Sequence, residues 1–217
     1  MATRTVDALR RGARIHSLMR AVYLARSRER PFDVTWERLN YRRTDADGVR
    51  GTVCFSKAGA VGLFFRPSSP GAPANRQKPY VLEAHFEGAP EPLMQHARRE
   101  GFPTMDLEGR TVVTAAFWSD KDGALVGARP WARLAADGAS LVDGELQRPE
   151  KAIAGWASQY GLSGAQADVV IRLFGSQAKL PASNARVVIS AQDRIALGLV
   201  THQIARDLLE GAGITLA

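Results

Sequence analysis

Along residues 5–28, Ala8, Ile15, Leu18, Met19 and Val22 fall in one stripe at the 3.6-residue spacing of a helix, with no proline and one glycine interrupting it. Arg10 and Arg14 stand one turn apart on the other side, Arg28 is in register with them, and Pro31 closes the segment. The pattern predicts an amphipathic helix whose basic face looks away from the core.

From Val34 onward the period shortens. Strand character is read at 34–43, 49–56, 60–66 and 80–87, with Ser56 to Gly59 as a hairpin turn. Residues 67–79 are rich in Pro, Ser, Gly and Ala without periodicity and predict a long surface loop. A short helix is expected at 91–99, ended by Gly101 and Pro103. A hairpin is expected from 110–118 and 124–129, around Asp120-Lys121-Asp122-Gly123. Beyond Gly144 the helical period returns, at 149–160, 164–174 and 191–210, with 186–189 as an edge strand.

These elements imply an α+β fold: a mainly antiparallel sheet of about five or six strands, an N-terminal amphipathic helix and a helical C-terminal portion. A boundary is expected near residue 147. It gives a sheet domain with the basic helix at 1–147 and a helical portion packed on it at 148–217, the alternative being one domain over 1–217.

Composition narrows the function classes. At 217 residues and 45% hydrophobic, the chain can bury a core without disulfides or metal. Its single cysteine, Cys54, lies in the apolar run Val53-Cys54-Phe55 and reads as a small buried hydrophobe. No apolar run reaches membrane-spanning length, and Arg10, Arg11, Arg14 and Arg20 break any secretory-signal core, so a cytoplasmic location is expected. The net charge is +7, and residues 1–50 carry twelve arginines against six acids, so nearly all the excess is N-terminal. Such asymmetry favours an acidic partner.

Four groups of residues bear on chemistry. Ala157, Gly161, Leu162, Ser163 and Val170 have a spacing that resembles the DNA-binding helix-turn-helix motif over about 20 residues. The second helix, however, offers Ser163, Gly164, Ala165, Asp168 and Val169 to a groove, with no cation before Arg172, so a plain αα-hairpin is the preferred reading. On a strand over 80–87, alternation puts Glu83, His85 and Glu87 in one row, a set able to bind a divalent cation or pair a base with an orienting acid; a solvated sheet face is the plainer reading. His96, one helix later, has no fixed spacing to them. Arg11 and His16 are similar to the Arg-x4-His spacing of the ribonuclease family of higher eukaryotic and prokaryotic nucleotide-binding domains; amid so many arginines they read as a solvated helix face. His202, and the tryptophans at 36, 118, 131 and 156, read as core or interface residues.

No phosphate-binding glycine loop, GxSxG, HExxH or Cys/His array is present in the sequence. The functional expectation is a non-enzymatic binding protein, without cofactor or metal, that docks nucleic acid or an acidic protein surface through Arg10, Arg14, Arg20 and Arg28. An accessory or immunity-type protein that blocks or chaperones a protein partner is the first alternative. An enzyme centred on Glu83, His85 and Glu87 is the second.

Overall fold

The computed structural model describes residues 4–27, 33–75, 79–100, 112–176, 178, 186–199 and 203–217, in all but the side chains of residues 99 and 100. The elements run α1 (Val6–Leu24), β1 (Val34–Glu37), β2 (Asn40–Thr44), β3 (Arg50–Ser56), β4 (Gly59–Phe65), α2 (Glu91–Glu100), β5 (Ala115–Ser119) and β6 (Leu125–Val126). They continue as α3 (Trp131–Ala136), α4 (Pro149–Tyr160), α5 (Gly164–Phe174), β7 (Val187–Ile189), α6 (Ala191–Leu197), α7 (Gln203–Gly211) and β8 (Ile214–Leu216). Strands β1 to β6 form an antiparallel sheet in sequence order, and β7 and β8 a separate parallel pair. The fold is α+β. Among the described residues, no helix is long and apolar enough to cross a membrane.

Contacts divide the chain into two compact units, one of residues 1–6 and 39–143, the other of residues 7–38 and 144–217. The boundary expected near 147 follows the chain, whereas the contacts group the N-terminal helix with the C-terminal helices.

In the first unit, hairpin turns fix the register. Asp45 Oδ1 accepts from the amides of Asp47 (3.0 Å) and Val49 (2.9 Å), and Asp120 Oδ1 accepts from those of Asp122 (2.9 Å) and Ala124 (2.8 Å). An aspartate that bonds its own backbone two residues on favours a turn at that point. Tyr41, Val53, Gly62 and Phe117 then share one transverse row. A Cβ at Gly62 would come within 2.3 Å of the Phe117 ring, so the missing side chain is what lets that ring lie across the strand. On the opposite face Cys54, Val61, Leu63, Ala116 and Trp118 pack with Leu93, Met94 and Ala97 of α2. Cys54 is a buried free thiol, as its apolar run predicts.

Two expected strands are corrected here. The segment 34–43 is broken at Arg38, which takes a left-handed φ of 56°, leaving Leu39 58% exposed between β1 and β2. Residues 80–87 form no strand: His85 N donates to Leu82 O (3.1 Å) and Phe86 N to Glu83 O (2.9 Å), closing a 3-10 turn over Glu83–His85. Leu82 and Phe86, one turn apart, are the residues that join the apolar cluster under α2. Packing therefore selects the turn over the alternation.

In the second unit, α4 starts with Pro149 in its first turn and stops where Gly161 takes φ 62°, with Leu162 N donating to Ala157 O at 2.9 Å. Helix α5 follows through a complete capping box, Gln166 N to Ser163 Oγ (3.2 Å) and Ser163 N to Gln166 Oε1 (3.1 Å). Both helices match their predicted limits. The single helix expected over 191–210 is instead two, because α6 ends at Gly198 with Leu199 N bonded back to Arg194 O (3.0 Å). Strand β7 lies within the expected 186–189, and its partner β8 had no counterpart in the sequence pattern.

Candidate functional site

The basic face of α1 differs most from expectation. Arg14 is 8% and Arg20 3% exposed, and the helix is buried on every side from Gly12 to Val22. Arg14 Nε donates to Ala212 O (3.1 Å). Arg20 pairs with Asp33 (2.9 Å) and lies over the rings of Tyr23 (4.8 Å) and Tyr160 (5.3 Å). Burial lowers the pKa of Arg10 and Arg14 from the usual arginine value; Asp7 opposes the shift at Arg10, and Arg10 adds to it at Arg14. Arg28 lies outside the described residues, as does His202. The physical reason lies in the arginine side chain and its surroundings: a long apolar stem threads through packed surface and delivers the guanidinium to a carbonyl, a carboxylate or an aromatic face supplied by the tertiary fold.

His16 is fully buried, and the expected solvated Arg11–His16 face is not formed. Its Nδ1 lies 3.0 Å from Glu145 Oε1 and its Nε2 2.6 Å from Tyr160 Oη. The ring stacks on Trp156 at 4.5 Å between centroids, with 1° between the planes. In the tautomer with its proton on Nδ1, the imidazole donates to Glu145 Oε1 and accepts the Tyr160 phenolic hydrogen at Nε2. Both ring nitrogens are engaged by protein. With His16 0%, Glu145 1% and Tyr160 6% exposed, the three groups bond to one another inside the packed interior and satisfy polar atoms there.

Glu83 and Glu87 are exposed, and His85 is half-buried against Tyr80, with 5.8 Å between ring centroids. The 3-10 turn replaces the row that a strand would have made. Among the described residues, no group of three or more His, Cys, Asp or Glu side chains is placed to hold a metal ion. The αα-hairpin of α4 and α5 leaves Ser163, Gly164, Ala165 and Asp168 exposed, while Arg172 is taken by Asp193 (2.5 Å). Of the tryptophans, 118 and 156 are buried, and 36 and 131 are half-buried.

A concave site does exist in the second unit. Arg194 of α6, Arg206, Leu209 and Glu210 of α7, and Ile214, Thr215 and Leu216 of β8 line an open cleft of about 250 Å³. Leu209 and Ile214 are buried in its floor, and Arg206 and Glu210 are exposed one turn apart on its wall. Among the described residues, neither the Arg194 nor the Arg206 guanidinium has a hydrogen-bond or ion-pair partner. Ile195, next to Arg194, is 77% exposed, the highest value among large apolar side chains of the described residues. The sequence carries no compact signal for this cleft: its residues come from three elements and no motif joins them. Compared with known protein families, curated proteins and solved structures, the chain matches none.

Proposed function

We propose that this chain is a non-enzymatic binding protein for an acidic partner, and that the partner docks at the cleft carrying Arg194 and Arg206. One observation carries the reading: these guanidinium groups line a concave surface with no partner among the described residues, whereas Arg14 and Arg20, expected to do this work, are consumed inside the fold. A cation that faces a cleft without an internal partner, as half-buried Arg194 and exposed Arg206 do among the described residues, can pair with an incoming carboxylate or phosphate. Ile195, the chain neighbour of Arg194, is exposed and fits a contact with an apolar component, as protein partners provide.

The test is retention of the full chain on immobilised polyglutamate. Retention should fall steeply with salt, and Arg194→Glu with Arg206→Glu should abolish it at an ionic strength where the parent still binds. Equal retention of parent and double variant would remove the cleft as the docking site.

A further inference from the structure

We infer that the ligand of the cleft is an extended acidic peptide that adds as a strand to the outer edge of β8. The inference rests on the reading of the Arg194 and Arg206 cleft as the docking site, and names the class of partner.

The parallel register sets Val187 opposite Ile214, Val188 opposite Thr215 and Ile189 opposite Leu216. Val187 N donates to Gly213 O (3.0 Å) and Ala217 N to Ile189 O (2.9 Å). In a parallel ladder with these bonds, Thr215 supplies the N–H and C=O that face β7 between them. The main-chain groups of Ile214 and Leu216 therefore face the opposite edge, where no described strand pairs with them. An unpaired edge of this kind is a template for one more strand. Ile214 and Leu216 point to one face of β8 and Thr215 to the other, and all three line the cleft, so the cleft follows that edge.

Charge and size select the occupant. Two cations against one carboxylate, Glu210, favour a ligand with acidic side chains. A volume of about 250 Å³ is below what a whole drug-sized ligand fills, but it takes the side chains of a strand passing through. The main-chain groups of an unpaired strand edge are matched by a peptide backbone and not by a sugar-phosphate backbone, and Leu216, half-buried in the lining, can take one apolar side chain.

The experiment uses the full chain and a fluorescent heptapeptide pool with Val, Ile or Thr at odd positions and Glu or Asp at even ones. A second pool is N-methylated at alternate main-chain nitrogens, a third has Lys for the acids, and single-stranded DNA and polyglutamate are run beside them. The expected result is saturable binding of the first pool, weakened about tenfold or more by Arg194→Glu with Arg206→Glu and by N-methylation, with no binding of the Lys pool. Equal binding of the N-methylated pool overturns strand addition while leaving the arginine cleft intact. DNA binding tighter than the acidic pool, with the same arginine dependence, assigns the cleft to phosphates instead. Failure of polyglutamate and the acidic pool alike removes the cleft as an acidic docking site and the strand proposal with it.

Discussion

Glu145 places a carboxylate oxygen 3.0 Å from His16 Nδ1, across 129 residues of chain, with both side chains essentially sealed from solvent. Removing either partner leaves the other a buried polar group without its bond, which is the costly half of the interaction. His16→Ala or Glu145→Ala should lower unfolding free energy by roughly 3 kcal/mol or more. A double-mutant cycle followed by urea denaturation should give a coupling of about 1–3 kcal/mol, and additive single effects would show that the two groups do not interact.

Helix α1 approaches the backbone of residue 145 at Gly12, where a Cβ would fall 2.0 Å from the Glu145 carbonyl oxygen. Main chain cannot swing aside as a flexible side chain can, so Gly12→Ala should destabilise by about 2 kcal/mol or more. Gly155, exposed in the middle of α4 with open space around it, should behave oppositely. Gly155→Ala should stabilise by about 0.5–1 kcal/mol through helix propensity. Thermal unfolding of the pair reads both signs.

The arginines divide into two populations that mutagenesis should separate. Arg14→Ala and Arg20→Ala remove buried groups bonded to Ala212 O and Asp33, and each should cost about 1–3 kcal/mol of stability. Arg194→Ala and Arg206→Ala should leave stability within about 0.5 kcal/mol of the parent while weakening retention on polyglutamate. Loss of stability in the second pair would place those side chains in the core framework.

The Asp193 carboxyl is held below the usual carboxylate range, first by the hydrogen bond from Arg172 and then, against the effect of burial, by the Ser190 hydroxyl. A depressed folded pKa stabilises above the unfolded value of about 3.9 and is lost as pH falls through the folded value. Arg172 is 60% exposed, so solvent screens the pair and the effect should be small. Asp193→Asn should therefore lose less stability than the parent as pH falls below about 4, measured by urea midpoints; parallel curves would exclude this pair from acid unfolding.

Much of the fold was legible because its signals are local. Pro149, Gly161 and the Ser163/Gln166 pair mark helix limits through bonds made within four or five residues, and Asp45 and Asp120 mark turns the same way. Arg38 and Gly198 are the counterexamples: each interrupts an apolar period by one left-handed residue, which alternation or helical spacing does not register. The 80–87 segment failed because its alternation competed with a one-turn Leu82–Phe86 spacing, and only the apolar cluster below α2 decided between them.

By itself, then, the sequence determined the α+β class, the antiparallel sheet, the helix limits around Gly161 and the burial of Cys54. Each follows from propensity, capping or hydrophobic period. Tertiary structure alone decided where the charges go. Whether Arg14 faces solvent or Ala212, and whether His16 is exposed or braced by Glu145 and Tyr160, depends on contacts 198, 129 and 144 residues apart. The cleft of Arg194 and Arg206 has the same origin, since its lining comes together only when α6, α7 and β8 converge.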